Sequence, residues 1–523
     1  MIAPIWKNPE FVRHLRAELR PARAITVGAV VATICLLIYL GSLGSFEAEM
    51  AAKRRASKEF GNPKPDVIVR LEQEGAARVA TSFFGAVMYV QLAVLTFWSL
   101  LSCAQSISGE RERKTWDFQR ATRLKSRELL VGKLVGEPVL AYFIVACCFP
   151  LALIAAWRGH VGWSVFFQGY AFILFGALFL GLAGLWISSL FESRSRGVGL
   201  LGTIGLYIAI GFATSLYETS FPGFAAFSPL SGMINLLESG LPVRVSALFG
   251  RPVSWLLTSL VLWLACGAWL VLMLLRNLKR EVDQMKLLSR WESVGCLAFL
   301  NYLLYTLFVP KTPGIAGAAN LASFVASVNG LFLFVLGLAT TTSYERLKVW
   351  WRSRRGPAAL LAEDGPPWPW LTISAIVGYS MLVWGLYAWK NALGFDPQVL
   401  RTSLVQFAAI AIYVIRDVSF IQWCRITRLR APILKGFLFI GLYYIAAAVF
   451  GIVTAVISES RGATAISLLT PAGTFASDDN LNVHIAASSF VGMGIQLAVL
   501  ILLQLATLRR LKRSALALLQ SPA

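Results

Sequence analysis

Charged residues are scarce in this sequence of 523 residues. They make up 14% of the chain, whereas hydrophobic residues make up 57%. A soluble globular chain carries about 25% charged residues. The shortage therefore argues against a soluble enzyme, a disordered protein and a secreted disulfide scaffold.

The few charges leave long uncharged runs between them. A helix needs about 20 apolar residues to cross the hydrocarbon layer of a bilayer. Twelve runs contain no Asp, Glu, Lys or Arg and are long enough, or nearly so, to serve as spans. They are 24–46, 79–109, 138–157, 159–191, 197–217, 252–275, 293–310, 312–344, 365–389, 402–415, 436–458 and 480–508. Backbone amides in lipid must be hydrogen-bonded within the segment, so we expect an all-α polytopic membrane protein with about 12 transmembrane helices.

Basic residues outnumber acidic ones, with 48 Lys and Arg against 27 Asp and Glu. If the N-terminus is inside, 34 of these basic residues fall on the inner face and 14 on the outer face. This asymmetry is the positive-inside pattern, and it predicts that both termini are cytoplasmic. Because no basic cluster belongs to a soluble domain, no nucleic-acid partner is expected. The seven cysteines all fall in spans or on the inner face, so neither a structural disulfide nor a zinc site is indicated.

Two segments outside the spans have helical patterns. In residues 6–20, apolar residues recur at helical spacing between arginines, which predicts an interfacial helix on the inner surface. The inner loop 110–137 is charged and helix-prone, and it should form one or two short amphipathic helices.

Three short matches suggest an internal duplication. Glu110, Arg111, Arg113 and Trp116 match Glu345, Arg346, Lys348 and Trp351, the sequence Ile204–Tyr207 recurs as Ile440–Tyr443, and Ser228–Pro229 corresponds more weakly to Thr470–Pro471. The matches follow chain order at nearly one offset. They predict a first six-span unit at 1–290 and a second, diverged six-span unit at 291–523.

The run ISGERERKTW at 107–116, followed by TRLKSRELLVGK at 122–133, resembles the cytoplasmic loop of ABC type-2 exporter permeases. In that family the loop follows the second span and forms a coupling helix that docks on the ATP-binding subunit. The resemblance covers the first half well. In the second half Tyr344 replaces the glycine that precedes the glutamate.

The resemblance implies which residues carry the coupling to the ATPase. They are Glu110, Arg111, Arg113, Trp116, Phe118 and Arg123, with Glu345, Arg346 and Trp351 as the candidate second contact. Trp116 and Phe118 could fill a pocket on the partner, and the arginines could meet its acidic groups. The alternative from the residues alone is that the basic residues satisfy the positive-inside rule and that Trp116 marks the headgroup region. Ser228 and Pro229 resemble the outer re-entrant segment of the family.

The resemblance implies a transport permease of a bacterial inner membrane, exporting a substrate that the sequence does not identify. The chain has no G-x-x-x-x-G-K-[ST] motif, so ATP and Mg²⁺ are expected on a separate ABC subunit, in two copies if both halves dock one. We expect no catalytic residues, bound cofactor or metal in this chain.

Two other functions are considered. A secondary, ion-coupled transporter with six plus six spans generally needs ionisable groups within its spans, and no Asp or Glu lies in any predicted span. A membrane-embedded enzyme would have its best candidate metal site at Asp478, Asp479 and His484, a set that more often forms a solvated loop.

Overall fold

The computed structural model divides the chain into two compact units, Met1–Met285 and Lys286–Ala523. This boundary lies five residues from the one expected at 290, while the duplication itself stays a prediction. The structure describes residues 5–59, 75–121, 124–190, 207, 225–238, 244–248, 251–280, 288–306, 315–353, 357–393, 397–427, 432–457, 469–470, 475–477, 483–485 and 487–519.

The first unit is helical, with one short hairpin. Its helices are α1 (Pro9–Glu18), α2 (Pro21–Glu59), α3 (Gly75–Glu112), α4 (Trp116–Ala121), α5 (Ser126–Gly136), α6 (Val139–Arg158), α7 (Trp163–Leu190), α8 (Pro229–Glu238) and α9 (Trp255–Asn277). Strands β1 (Arg244–Leu248) and β2 (Arg251–Ser254) pair antiparallel. The helix predicted within residues 6–20 is present as α1, while its position at the membrane surface stays a prediction. The loop 110–137 contains α4 and α5.

Helix α3 is the centre of the first unit and packs most extensively against α7. Gly184 permits a close approach of the two backbones, because a Cβ atom at that position would lie 2.5 Å from the Leu100 carbonyl oxygen. Glycine lets two helices approach until backbone meets backbone. Helices α3 and α7 therefore form a close-packed pair, and this packing holds the C-terminal part of α3 in place.

The second unit contains helices α10 (Arg290–Thr306), α11 (Ile315–Ala339), α12 (Tyr344–Ser353), α13 (Trp368–Leu393), α14 (Pro397–Ile426), α15 (Pro432–Ile457) and α16 (Ala487–Leu519). Strands β3 (Phe475–Ser477) and β4 (Val483–Ile485) form a second hairpin. Helix α14 is central here, with contacts to α11, α13, α15 and α16.

Within the described residues, eight helices are long and apolar enough to cross a membrane. They are Pro21–Lys53, Gly75–Glu112, Val139–Arg158, Trp163–Ser189, Trp255–Asn277, Leu404–Ile426, Lys435–Thr454 and Phe490–Arg513. A ninth arises if Val325–Ala339 and Tyr344–Ser353 are one span with an 80° bend. The protein is an all-α polytopic membrane protein.

The sequence predicts twelve spans, which is more than the eight or nine crossing helices found among the described residues. The predicted span 197–217 lies outside the described residues except for Tyr207. The predicted span 293–310 corresponds to α10, which has 17 residues and is shorter than a typical crossing helix.

One expectation about charges is wrong. The predicted span 402–415 ends before Arg416, but α14 continues to Ile426 and carries Arg416 and Asp417 within the crossing segment Leu404–Ile426. Both side chains are buried and form a salt bridge with each other. The search for uncharged runs ends a predicted span at the first charged residue. It therefore missed that Arg416 and Asp417 neutralise each other and can both lie within a span.

Candidate functional site

Lys133 lies at the centre of a buried polar cluster at the end of α3. Its side chain is fully buried, and its ammonium nitrogen lies 2.7 Å from Glu110 Oε2 and 3.1 Å from Ser106 Oγ. Glu10 Oε1 lies at 3.3 Å and Glu137 Oε1 at 3.9 Å. A buried ammonium group is stable only when it is paired and hydrogen-bonded. These partners supply both conditions.

Glu110 connects four helices through its carboxylate. It belongs to α3, pairs with Lys133 of α5, and its Oε1 atom accepts hydrogen bonds of 2.7 Å from Arg13 of α1 and from Gln119 of α4. Hydrogen bonds to charged groups are the stronger kind in proteins. The carboxylate therefore connects the short helices α1, α4 and α5 to the end of the long helix α3.

Helix α1 is seated directly on α5. Asn8 caps α1 by accepting from the Glu10 amide, and its own amide donates to the Glu128 carbonyl at 2.7 Å. Gly132 makes the crossing possible, because a Cβ atom there would lie 2.7 Å from Glu10 Cβ. The sequence therefore places a glycine beside the buried lysine, at the point where the two helices cross.

The charges in this cluster alter the acidity of Glu10. Burial by itself raises the pKa of this carboxyl, but the hydrogen bond from His14 and the positive charges of Lys133 and Arg13 outweigh burial and lower the pKa to about 2. Glu10 is therefore ionised at physiological pH and serves as a second counter-ion for Lys133.

Trp116 faces inward, at the start of α4. It is 3% exposed and packs in a buried apolar cluster with Ile107, Leu129 and Leu185. The Lys133 ammonium nitrogen lies 5.6 Å from its ring centroid, within the range of a cation–π interaction. The expected role of Trp116 as an anchor in a partner pocket does not fit this position. Its ring instead holds α4 against the rest of the first unit.

Arg111 also points into the chain, where it donates to the Ser189 carbonyl at 3.0 Å. Phe118 and Arg113 are exposed, and the Phe118 side chain is 78% exposed. Arg123 lies outside the described residues. The sequence-predicted residues thus divide into an inner group, Glu110, Arg111 and Trp116, and an outer group, Phe118 and Arg113.

The matching segment of the second unit has a different geometry. Glu345 lies in the first turn of α12, after the 80° bend, whereas Glu110 lies in the last turn of α3. Glu345 is 70% exposed and pairs with Lys348 at 3.0 Å. Arg346 and Trp351 are half-buried, and Trp351 packs at the edge of a small apolar cluster. No counterpart of the Lys133 cluster is seen around Glu345 in the described part of this unit.

Ser228 and Pro229 lie at the start of α8, a helix of 10 residues, and both are buried. Pro229 occupies the first helical position, where a missing amide hydrogen is tolerated. Its ring meets α7 at Gly176, where a Cβ atom would lie 2.8 Å from Pro229 Cγ. The segment is therefore a short helix packed against α7.

The family model described as ABC-2 family transporter protein matches residues 15–274. The chain belongs to the ABC-2 transporter family. The match lies within the first unit and contains the Glu110–Lys133 cluster, and the protein is therefore a membrane transport component with the role of an ABC transporter permease. Permeases of this family typically work with ATP-binding subunits. No curated protein and no solved structure matches the chain.

Sequence reasoning placed Lys133 at the end of the coupling segment of this ABC-2 chain without assigning a role to its charge, and it did not single out Glu10, Arg13 or Gln119. One signal was present for Lys133, which is a single charge in the apolar run LLVGKLVG and has a glycine directly before it. A charge in such a run needs a buried partner. The partner Glu10 is more than a hundred residues away along the chain, and no local pattern indicates that pairing.

Proposed function

We propose that this chain is the membrane-spanning permease of an ATP-driven exporter in a bacterial cytoplasmic membrane. A separate ABC subunit binds ATP and Mg²⁺ and hydrolyses the nucleotide. This chain binds neither, and its two units each take one copy of the ATP-binding subunit. Export as the direction follows from the family resemblance.

The observation that carries the proposal is the position of Phe118 relative to the Glu110–Lys133 pair. Phe118 presents a large aromatic side chain to the surroundings from α4, and the adjacent Gln119 donates to Glu110 inside the chain. Exposed aromatic residues that insert into partner pockets often dominate the energy of an interface. Phe118 is therefore the candidate anchor for the ATP-binding subunit.

Movement of α4 would pass to α3 through fixed contacts. Trp116 is packed in the core and Gln119 is bonded to Glu110, so α4 has little freedom to shift alone. Glu110 lies in the last turn of a helix of 38 residues that is long and apolar enough to cross the membrane. Coupling between distant sites needs a continuous packed network of this kind. Nucleotide-driven movement of the partner would thus tilt or shift α3.

Charged residues around Phe118 would guide the docking. Arg113 and Asp117 precede Phe118 in the chain, are exposed and carry opposite charges. Exposed rim charges of an interface mainly affect the association rate and its dependence on salt. We therefore expect docking at α4 to weaken as ionic strength rises.

The second docking contact is proposed at α12 of the second unit. Glu345, Arg346 and Trp351 lie on this short amphipathic helix, which follows a possible spanning helix after a sharp bend. Because the Glu345 side chain is 70% exposed, its ion pair with Lys348 is weakened by solvent, and this contact would transmit movement less firmly than the first. One docking site would then drive transport more strongly than the other.

Co-purification tests the proposal. The chain is co-expressed with an ABC ATP-binding subunit encoded beside it, and the complex is isolated through a tag on the permease. Phe118→Ala should reduce the recovered ATP-binding subunit several-fold and lower the transport-stimulated ATPase activity. Phe167→Ala is the matched control, because Phe167 is also an exposed phenylalanine but lies in α7, near its first turn. Equal recovery with both variants would remove α4 as the docking site.

The secondary-transporter alternative has one observation in its favour, namely the presence of Asp417 within a crossing helix. Its carboxylate is paired with Arg416 rather than free to carry an ion. Purified chain in proteoliposomes decides between the two functions. Flux driven by a sodium or proton gradient without any ATP-binding subunit would favour the secondary carrier.

A further inference from the structure

Arg416 and Asp417 form an ion pair inside a membrane-crossing helix of the second unit. Both lie in α14, both are buried, and Asp417 Oδ1 accepts from Arg416 Nε at 2.8 Å. Ionisable residues at membrane depth are costly, and they generally mark a function. The pair forms no part of the proposed docking site.

The guanidinium group starts a chain of hydrogen bonds that all run in one direction. Arg416 donates to Gln496 Oε1 of α16, and Gln496 Nε2 donates to the Tyr443 hydroxyl of α15 at 3.3 Å. Tyr443 then donates to the Leu469 carbonyl at 2.6 Å. Hydrogen bonds that run head to tail polarise one another in a low-dielectric interior. These hydrogen bonds therefore connect the Arg416 guanidinium group to the Leu469 carbonyl.

Three further contacts fix Arg416 and Asp417 in this arrangement. Tyr444 of α15 donates to Asp417 Oδ2 at 2.8 Å, which satisfies the second carboxylate oxygen. The Arg416 guanidinium carbon lies 4.6 Å from the Tyr443 ring centroid and 5.1 Å from that of Tyr413. Aromatic faces stabilise a cation when water is excluded. The network joins α14, α15 and α16 at one level of the unit.

The Leu469 carbonyl, at the end of this network, lies next to one of the positions matched by the predicted internal duplication. Leu469 precedes Thr470, which the internal duplication matches to Ser228. In the first unit the residue before Ser228 is Phe227, and its carbonyl accepts a hydrogen bond of 3.0 Å from Trp263 Nε1. Both units thus hold the carbonyl before the matched hydroxyl residue with an aromatic donor. In the second unit that donor, Tyr443, is linked through Gln496 to the buried Arg416–Asp417 pair.

We propose that the Arg416–Asp417 pair positions the segment at Leu469 and Thr470 and so keeps the outer end of the second unit closed between transport cycles. The inference rests on the proposed function and on the predicted topology, in which Thr470 lies on the outer face between the spans 436–458 and 480–508. If the pair separates, Arg416 no longer holds the Gln496 side chain. Gln496 Nε2 then stops donating to the Tyr443 hydroxyl, and Tyr443 releases the Leu469 carbonyl.

The test measures how accessible position 470 is to a thiol reagent. Thr470→Cys is placed in the full chain in lipid nanodiscs and treated with a membrane-impermeant maleimide, and the labelling of the chain without the added cysteine is subtracted. Thr470 is buried, so slow labelling is expected at first. Tyr443→Phe removes one hydroxyl group and leaves the ion pair intact, and it should raise the labelling rate several-fold. Arg416→Met with Asp417→Leu, which removes both charges together, should do the same.

Two controls separate local release from general loosening. Ser228→Cys reports on the first unit, and Tyr387→Phe changes an exposed tyrosine of α13 outside the network. The labelling rate of Ser228→Cys should be the same with and without Tyr443→Phe. The labelling rate of Thr470→Cys should be the same with and without Tyr387→Phe. Unchanged labelling of position 470 in Tyr443→Phe overturns the proposal, and so does an equal rise at position 228. The measurement uses no ATP-binding subunit, so its failure is distinguishable from failure of the docking proposal.

Discussion

Lys133 Nζ and Glu110 Oε2 lie 2.7 Å apart inside the first unit, where the lysine side chain has no exposed surface. The pair joins α5 to the last turn of α3, and Glu10 and Arg13 bring α1 into the same cluster. The short helices beneath the membrane are thus fastened to a spanning helix by buried charges rather than by loops.

Removal of Glu110 should destabilise the chain strongly. Glu110→Ala leaves Lys133 buried without its nearest counter-ion, and breaking such a pair typically costs about 3–5 kcal/mol. The expected result is a clear drop in the thermal unfolding temperature of the purified protein in detergent. Glu110→Met combined with Lys133→Leu should recover much of that stability, yet it should uncouple ATPase activity from transport. Glu345→Ala, an exposed acid at the matching position, should leave the unfolding temperature nearly unchanged.

The stability of the first unit should depend on pH through Glu10. Its pKa is about 2 in the folded chain against an ordinary value of 4.5, so its ionised form stabilises the fold at pH values above 4.5. That contribution is lost as the pH falls from about 4.5 toward 2. Unfolding temperatures measured across this range should fall more steeply for the parent protein than for Glu10→Gln. Identical slopes for the two proteins would contradict the charge arrangement around Lys133.

Trp116 and Phe118 should respond to alanine in opposite ways. Trp116→Ala empties a buried site and should cost about 3–5 kcal/mol of stability. Phe118→Ala removes an exposed side chain and should change stability little, but it should weaken binding of the ATP-binding subunit by more than about 1 kcal/mol. Thermal unfolding and subunit titration distinguish the two effects. A stable Trp116→Ala variant with weakened binding would return Trp116 to the docking surface.

Two glycines on facing helices provide a matched pair. Gly184→Ala forces a Cβ atom to within 2.5 Å of the Leu100 carbonyl oxygen, so it should separate α3 from α7 and lower the unfolding temperature. Gly109→Ala lies in α3 with no atom within 4 Å of its added Cβ, so the better helix propensity of alanine should stabilise it by about 0.5–1 kcal/mol. Stabilisation by both substitutions would show that the helices pack less closely than described.

Much of the helical layout follows from the positions of charges. Uncharged runs placed the spanning helices around 79–109 and 138–157 correctly, because lipid requires continuous apolar helices. The same rule failed at Arg416 and Asp417, where two opposite charges satisfy each other. It also treated 47–78 as an outer loop, although α2 continues to Glu59.

The candidate site was only partly predictable. Glu110 and Trp116 follow from the motif, but their burial depends on helices that meet from distant parts of the chain. Asn8 and Glu128, 120 residues apart, are in contact because α1 folds back on α5. The sequence pattern shows which residues are charged or aromatic, whereas the tertiary contacts decide which face inward. The hairpins β1–β2 and β3–β4 gave no recognised signal.

The central claim is that α4 lies on the cytoplasmic face and carries the docking surface for an ATP-driven partner. A cysteine at position 118 tests this claim most directly, because Phe118 is 78% exposed. Phe118→Cys should resist a membrane-impermeant maleimide in intact cells, react readily in inverted membrane vesicles, and become protected when the ATP-binding subunit is added. Rapid labelling in intact cells would place α4 on the outer side and contradict the account.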